Sequence, residues 1–428
     1  MEKLLEMAKK VSDQAEVYSQ ESSSNSVSFE NAKLHDIESD FSAGIALRII
    51  KDGKLGFAYT RNLNNREELI TNALHSLKGK VAADYQLPSY QKLPQIDTYD
   101  KNIDEISSSK LVEECSRIDE IWKEKTNAEI TIASWTFTDE MRLINSKGVD
   151  YSKKTSGYGV YGGLGFPGGA SGISRSINNK SFIPFLENSS NEMIMLFNIG
   201  EKIVQPKSGK MKVLFMPGSL YTLNWRFTTG TSAQSIYEKT SPVADNIGQQ
   251  IFSDKLTIFT DPLNENFNSA TAFDSEGIPT TKFILVENGV LKSFYYDLYY
   301  AQKLGVKSTG HGYKQYYYGK PTPQAAHLTY LPGDASFAEM IKMIDRGIIL
   351  EGAMGAHSGN IPNGDYSIGV DPGLYVENGE IIGRVKDAMI AGNSYETMKN
   401  VIAIENKAHN IGSRMPAVLF DNVSFSGK

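Results

Sequence analysis

The histidines of the C-terminal half are the first side chains in this sequence that could hold a catalytic metal. His311, His327, His357 and His409 lie there, but none stands at the spacing that brings two imidazoles onto one helical face. A zinc site would therefore need ligands from distant parts of the chain. Isolated histidines more often cap, stack or face solvent. The sequence thus predicts no metal ligands, and it leaves open whether His311, His327 and His357 converge.

Two carboxylates in the segment Asp274-Ser-Glu-Gly277 could act together as a general acid and a general base. The structural alternative is that Glu276-Gly277 begins a turn while Asp274 accepts hydrogen bonds from backbone amides. Aspartate commonly has that role at such positions, so the alternative is favoured.

Nucleophilic catalysis has no motif in this chain. No serine lies in a Gly-x-Ser-x-Gly elbow. The one cysteine, Cys115, shares a helical stripe with Leu111, Ile118 and Trp122, which predicts a buried and inert thiol. The sequence therefore assigns no catalytic residue.

The loop Ser308-Thr-Gly-His-Gly312 and the following run Tyr313-Lys-Gln-Tyr-Tyr-Tyr318 form the most unusual stretch. Polar groups and aromatic rings on a glycine-flanked loop could grip an extended peptide, stack on nucleobases or form a protein interface. The chain has 44 Lys and Arg and 50 Asp and Glu, which gives a net charge of -6. This negative charge weakens the nucleobase alternative. No nucleic-acid partner is expected.

Length and composition predict an ordinary globular protein of two to three domains. The chain has 428 residues, of which 40% are hydrophobic and 22% charged. A single cysteine excludes an intrachain disulfide and favours a reducing compartment. Charge interrupts the segment Met1–Lys10, and no stretch approaches the roughly 20 apolar residues that span a bilayer. A cytoplasmic protein without a membrane partner is expected.

The pattern of the first 200 residues predicts helices mixed with antiparallel strands. Apolar residues recur at helical spacing from Leu4 to Ala15, and strands follow with a type I′ turn at Asp52-Gly53. A second helix follows Asn65, and a third begins near Ser107. We predict a helix–strand unit over residues 1–80, a linker over 81–106, and a region over 107–200 that completes the N-terminal lobe.

The remaining residues, 210–428, predict a large β-rich domain. The strand Val213–Phe215 and the turn Pro217-Gly218 precede a helix that Ser219 could cap. Asn288-Gly289 and Asn378-Gly379 each lie between apolar flanks, as in hairpins. The predicted fold class is α+β: an N-terminal α/β lobe of mixed helices and antiparallel strands plus this β-rich domain. The border between residues 181 and 210 stays open.

A set of short segments is specific in its order and combination. They are Asp274-Ser-Glu-Gly277, Val286-Glu-Asn-Gly289, Lys307-Ser-Thr-Gly-His-Gly312, Gly364-Asp-Tyr-Ser367, Val376-Glu-Asn-Gly-Glu380 and Ile390-Ala-Gly-Asn393. In these segments, and over nearly its whole length, the sequence resembles the TldD/PmbA family and within it the TldE (PmbA) branch, once described as modulators of DNA gyrase.

This resemblance implies a two-lobed α+β protein that dimerises around a cavity and takes part in the proteolysis of peptides and unfolded chains. In the family, the TldD subunit holds zinc on a helical HExxxH motif and a later cysteine. The matching helix here, Ser219–Gly230, contains neither His nor Glu, and Cys115 lies far upstream. Zinc hydrolysis of a peptide needs such ligands and a carboxylate base.

The resemblance therefore predicts a subunit without catalytic residues, metal ligands or a cofactor of its own, which lines the substrate channel of a zinc-bearing TldD-type partner. A homodimer is expected in isolation, and an unfolded peptide is the expected substrate. The predicted residues for binding substrate or partner are Asp274, Glu276, Ser308, Thr309 and His311. Two alternatives stay open: a regulatory binding protein of the gyrase-modulator type, and a homodimeric peptidase with an unrecognised site.

Overall fold

The computed structural model describes residues 1–62, 64–169, 171–410 and 414–427. Their fold class is α+β: an N-terminal lobe is built on one antiparallel sheet, and a β-rich C-terminal domain follows it. The predicted fold class is confirmed.

The N-terminal sheet has the strand order β3-β2-β1-β4-β5-β6, and each neighbouring pair is antiparallel. In the described residues, β6 therefore lies at one edge of this sheet and β3 at the other. The strands are β1 Gln14–Glu30, β2 Lys33–Lys51, β3 Lys54–Thr60, β4 Glu129–Asn145, β5 Asp150–Gly165 and β6 Gly172–Asn179.

Helices cover one face of this sheet. They are α1 Glu2–Lys9, α2 Arg66–Ser76 and α3 Ser108–Lys123, with α4 Glu187–Gly200 next to β6 and short 3₁₀ turns at Leu77–Gly79 and Lys101–Glu105. Asn65 and Ser107 accept hydrogen bonds from the first turns of α2 and α3, as the sequence predicts. Cys115 is fully buried on α3, and burial raises the pKa of its thiol to about 12.

The first helix and the first strand differ from the sequence-based expectation. The helix ends at Lys9, and Ala15 lies in β1. The polar run Ser22–Ser26 continues this strand, because β2 and β4 pair with its backbone on both sides. The predicted turn at Asp52-Gly53 is confirmed: both residues have positive φ, 49° and 66°, and they join β2 to β3.

The segment 81–106, predicted as a linker, lies against the N-terminal lobe. Tyr85 and Leu87 are buried, and the Leu87 amide donates a hydrogen bond to the Gln14 side chain at 2.8 Å. The Tyr151 hydroxyl donates to the carbonyl of Gln91 at 2.7 Å. The side chains of β1 and β5 therefore fix its path.

The C-terminal domain contains a large mixed sheet and a smaller one. The large sheet has the order β16-β17-β20-β24-β8-β15-β18-β19-β7, with β21 also paired to β24, and the smaller has the order β11-β10-β9-β14-β23-β22. Strands β12 and β13 pair separately. The strands are β7 Ile203–Val204, β8 Gly209–Phe215, β9 Ile258–Thr260, β10 Phe283–Glu287, β11 Val290–Leu291, β12 Gly312–Tyr313, β13 Thr322–Pro323, β14 Leu328–Tyr330, β15 Arg346–Leu350, β16 Ala353–Met354, β17 Asp365–Val370, β18 Gly373–Glu377, β19 Glu380–Val385, β20 Met389–Asn393, β21 Val401–Ile404, β22 His409–Asn410, β23 Arg414–Met415 and β24 Val418–Ser426.

The helices of this domain are short, and they sit between its strands. They are α5 Tyr221–Thr231, α6 Ala233–Tyr237, α7 Leu298–Leu304, α8 Phe337–Lys342 and α9 Ser394–Thr397. Among the described residues, no helix combines the length and the apolar character that crossing a membrane requires.

Local signals in this domain are confirmed with one exception. Asn288-Gly289 joins β10 to β11, Asn378-Gly379 joins β18 to β19, and all four residues have positive φ. Strand β8 leads through a turn into α5, as predicted. The expected cap is wrong: Ser219 donates to the carbonyls of Met216 and Leu350, and the helix starts after Leu220 without a side-chain cap.

The second face of the N-terminal sheet packs against the C-terminal domain. Tyr18, Met141 and Leu143 on this face contact Phe273, and Tyr151 lies with its ring 5.2 Å from that of Phe273. The two lobes therefore share a buried apolar contact, which sets the shape of the space between them.

Candidate functional site

A cleft of about 700 Å³ opens between the edge of the N-terminal sheet and helix α5. Strand β6 forms one wall, α5 forms the second, and segments near β14, β15 and β22 close the rest. The residues on these walls are Ser174, Arg175 and Ser176 of β6, Tyr221, Asn224, Trp225 and Thr228 of α5, and Ala325, His327, Leu328, Glu351, His409 and Met415.

Strand β6 directs backbone groups towards this cleft, and no strand of the described residues pairs with that edge. The Phe166 amide donates to the Ser171 carbonyl at 2.9 Å, so these facing residues form a hydrogen-bonded pair. Hydrogen-bonded and non-hydrogen-bonded pairs alternate in an antiparallel ladder. The register continues without a shift, so Ser174 and Ser176 direct their N–H and C=O groups away from β5. The Ser174 carbonyl accepts a hydrogen bond from Arg175 Nη1 at 2.8 Å, so the edge that lines the cleft offers the Ser174 N–H and the N–H and C=O of Ser176.

Arg175 holds β6 in place by two ion pairs. Its guanidinium lies 2.7 Å from Glu192 of α4 and 2.6 Å from Glu351 at the end of β15. The Arg175 and Glu351 side chains are only 12% and 3% exposed. Because these charges are paired and mostly buried, the wall of the cleft is rigid at this point.

Helix α5 has one face in the core and another in the cleft. Leu223 and Phe227 are fully buried in the C-terminal core, whereas Tyr221 and Trp225 are each 44% exposed. Partly exposed aromatic rings beside a polar strand edge are typical of a surface that binds another chain.

The orientation of α5 is fixed by a buried arginine. Arg226 is fully buried and donates to the backbone carbonyls of Thr222, Ala356, Ser358 and Asp365 at 2.6–3.0 Å. Burial lowers the pKa of Arg226. Backbone carbonyls therefore take the place of water as hydrogen-bond acceptors of the guanidinium, and these bonds connect α5 to the loop between β16 and β17.

Both histidines of the cleft are held by hydrogen bonds. His409 Nε2 lies 2.7 Å from Glu405 Oε2, and His327 Nε2 lies 2.7 Å from the carbonyl of Ser269. A carbonyl only accepts, so His327 donates from Nε2 and its neutral ring keeps a lone pair on Nδ1.

Asp274, predicted as a binding residue, is buried and bonded to backbone amides. Its Oδ1 accepts from the amides of Glu276 and Ile278, and its Oδ2 from Gly312, each at 2.9 Å. Gly277 has a φ of +83°, as a turn requires. The structural alternative considered from the sequence is therefore what the structure shows for Asp274.

Glu276 belongs to a buried charge cluster that joins the lobes. We define this inter-lobe charge cluster as Glu16, Arg48, Glu276 and Lys314, whose side chains are 1–3% exposed. Arg48 lies 2.6 Å from Glu16, its cross-strand partner, and 3.7 Å from Glu276. Lys314 lies 3.6 Å from Glu16. Burial and the neighbouring Asp274 raise the pKa of Glu276.

The side chains of Ser308, Thr309 and His311 form hydrogen bonds with neighbouring groups of the C-terminal domain. The Ser308 and Thr309 hydroxyls donate to the carbonyl of Tyr296 at 3.1 and 3.2 Å. His311 Nδ1 donates to the carbonyl of Thr309 at 2.8 Å, and its Nε2 accepts from Thr260 at 3.0 Å. Burial lowers the pKa of His311 to about 4, so the ring is neutral at pH 7 with both nitrogens engaged.

The predicted binding residues therefore lie next to one another, but they do not line the cleft. Gly312 links the two loops, because its amide reaches Asp274 and its carbonyl accepts from the Ser275 amide at 3.0 Å. Their assignment to substrate or partner binding stays a prediction. The exposed edge of β6 and the cleft face of α5 were not identified from the sequence as a binding surface.

Comparison with known proteins places this architecture in a family. A family model described as the PmbA/TldA metallopeptidase C-terminal domain matches residues 208–427, and one described as PmbA/TldA metallopeptidase domain 1 matches residues 15–77. The chain belongs to the TldD/PmbA family, in its TldE branch. The crystal structure of TldE from Thermococcus kodakarensis is 25% identical, each chain covers 100% of the other, and the TM-score is 0.91.

Curated relatives in the TldD/PmbA family carry protease names. A metalloprotease of Methanothermobacter thermautotrophicus is 25% identical over 90% of this chain and 87% of its own length. A metalloprotease PmbA homolog of Haemophilus influenzae is 31% identical over 51% of this chain and 46% of its own length. These names support a peptidase-type function for the family to which the chain belongs.

The side chains that α5 presents to the cleft are not those that would hold the zinc ion that the family name implies. A catalytic zinc needs three protein ligands and an open position. Helix α5 offers Tyr221, Asn224, Trp225 and Thr228, none of which is a usual zinc ligand. The other candidate ligands that line the cleft already have partners: His327 bonds to the Ser269 carbonyl, His409 to Glu405, and Glu351 to Arg175. Within the described ranges, no group of three or more His, Cys, Asp or Glu could hold a metal ion.

The inter-lobe charge cluster generates a stability prediction. We expect Arg48→Met to lower the free energy of unfolding by about 3–5 kcal/mol, because it removes the buried cation beside Glu16 and Glu276 and leaves only Lys314, 3.6 Å from Glu16, to offset them. Urea unfolding followed by tryptophan fluorescence measures the change. Arg142→Met is the matched control, since Arg142 is 35% exposed and should cost about 1 kcal/mol or less. Equal losses in the two variants would contradict the prediction.

Proposed function

We propose that this chain is the zinc-less subunit of a TldD/TldE-type metalloprotease and that its cleft holds an unfolded peptide for a TldD-type zinc partner. The observation that carries the proposal is the cleft itself: a free strand edge at Ser174 and Ser176 faces a helix that offers aromatic rings instead of zinc ligands. Members of the TldD/TldE family work as a complex, which supports such a partner for this chain.

The free edge of β6 suits a peptide that binds as an added strand. Its outward N–H groups at Ser174 and Ser176 and the outward C=O of Ser176 can pair with any extended backbone, so affinity does not require a particular sequence. Tyr221 and Trp225 on the opposite wall supply apolar contact to alternate side chains of the peptide. This combination favours unfolded substrates, because a folded chain does not offer a free extended backbone.

The residues predicted from the sequence have a positioning role in this proposal. Asp274 and Glu276 connect the C-terminal domain to the inter-lobe charge cluster, and Ser308, Thr309 and His311 hold the loop that precedes β12. That loop leads to the segment from Pro323 to His327, which closes the inner side of the cleft. These groups would therefore set the width of the cleft without contacting the peptide.

A regulatory binding role is the second candidate, and one observation favours it. The rings of Tyr59 and Tyr318 stack at 4.9 Å, and those of Tyr316 and Tyr318 at 5.1 Å, on an exposed surface. With a net charge of -6, this surface fits a protein partner better than a nucleic acid.

Proteolysis of a disordered protein such as casein tests the subunit assignment. We expect the purified chain with added zinc to cleave nothing, the zinc subunit alone to cleave slowly or not at all, and the mixture to cleave casein. The reason is that the metal ligands and the β6 edge lie on different chains. Cleavage by this chain alone, lost on chelation and restored by zinc, would contradict the assignment.

Removing one backbone amide at the strand edge tests the mode of peptide binding. We expect Ser176→Pro to lower the cleavage rate of the mixture by about tenfold, because proline removes an outward N–H without breaking the ladder to β5. Ser176→Ala keeps the amide and should stay within about twofold of the unmodified complex.

Thermal melting and complex formation by gel filtration establish that both Ser176 variants fold and assemble. If the proline and alanine variants lose activity equally, the side chain matters and the backbone edge does not. That outcome would count against strand addition at β6 while leaving the subunit assignment intact.

A further inference from the structure

A second cavity, of about 340 Å³, lies between the second face of the N-terminal sheet and the C-terminal domain. Polar and charged side chains from both lobes line it, among them Asp139, Lys153, Ser275, Tyr313, Lys314 and His327. His327 also lines the cleft, so the segment that ends at this residue separates the two spaces. Neither the family comparison nor the proposed function gives this cavity a role.

Two lysines bring positive charge to the cavity. Lys314 lies 3.6 Å from Glu16, and its ammonium sits 4.1 Å from the centre of the Tyr18 ring. Lys153 on β5 forms no ion pair within 4.0 Å with any residue that the structure describes. Burial lowers the pKa of both lysines to about 8, so each ammonium lacks part of the solvation it would have in water.

Two acceptor atoms at the same cavity also lack partners among the described residues. Asp139 Oδ1 is buried and accepts no hydrogen bond, and the same holds for His327 Nδ1. His327 uses its Nε2 proton for the carbonyl of Ser269, so Nδ1 can only accept. Buried polar atoms of this kind are normally satisfied by protein, water or ligand.

We propose that this cavity binds a small molecule that carries both a carboxylate and an amino group, namely a free amino acid or a short peptide. Its carboxylate would accept from the ammonium groups of Lys153 and Lys314. Its amino group would donate to Asp139 and His327. A simple anion would satisfy the lysines but leave both acceptors unpaired, so the balance of donors and acceptors favours a zwitterion.

The volume of the cavity fits this class of ligand. A space of about 340 Å³ corresponds to roughly ten water molecules at ~30 Å³ each. An amino acid or a dipeptide can enter such a space. The site goes beyond the proposed function, because its residues bind the ligand whether or not the cleft holds a peptide.

Isothermal titration of the full chain with glycylglycine, acetate, methylamine and inorganic phosphate tests the proposal. We expect glycylglycine to bind, and acetate, methylamine and phosphate each to bind at least about tenfold more weakly. Phosphate binding as tightly as glycylglycine would show a simple anion site and overturn the proposal. No binding of glycylglycine at millimolar concentration would also overturn it, because water alone would then satisfy these groups.

Variants locate the site. Lys153→Met should weaken glycylglycine binding by about tenfold. Lys154→Met is the matched control, since Lys154 is the next residue of the strand, points to the other face and pairs with Glu140 at 2.9 Å. Asp139→Asn should weaken glycylglycine binding but not acetate binding. Circular dichroism establishes that each variant is folded, and an equal effect of the two lysine variants would refute the assignment.

Discussion

The contact on which the rest of this structure depends is the inter-lobe charge cluster. Glu16 and Arg48 face each other on β1 and β2, and Glu276 and Lys314 reach them from the C-terminal domain. Buried ion pairs add little net stability, but a buried charge that loses its partner is costly. A shift of one lobe against the other would separate these charges, so the cluster fixes the relative position of the lobes.

The cleft and the second cavity follow from that fixed position. Strand β6 belongs to the N-terminal sheet and α5 to the C-terminal domain, so the distance between them is set by how the lobes meet. The distance between Lys153 on the N-terminal lobe and His327 on the C-terminal domain is also set by how the lobes meet. Asp274 contributes by joining Gly312 to the turn that carries Glu276. The buried residues found from the sequence therefore support the sites without lining the cleft.

Local features were predictable because their causes are local. The caps at Asn65 and Ser107 and the Asn-Gly hairpins all depend on neighbouring residues. The bonding of Asp274 to nearby amides is local for the same reason. The strand conformation of the polar run Ser22–Ser26 is not a local property, since it comes from two partner strands and not from its own side chains.

The site itself depends on contacts between distant segments, and no spacing in the sequence reveals them. Nothing near Glu276 indicates that Arg48 lies beside it, and nothing near Ser176 indicates that β6 is an edge strand facing α5. The strand-turn-helix junction at β8 and α5 was recognisable from its apolar and turn residues. The opposite wall of the cleft, strand β6, was not recognisable from the sequence. Which strand lies at the edge of a sheet depends on how all the strands of that sheet pair.

Pairing of an unfolded peptide with the edge of β6 that lines the cleft would protect the backbone amides of that edge. Amide hydrogen exchange in the assembled complex, with its zinc removed by chelation and an unfolded peptide added, measures this directly. We expect slower exchange at Ser174 and Ser176 when peptide is present, and unchanged exchange in β3 at the opposite edge of the same sheet. Peptide binding with no change in β6 would contradict it.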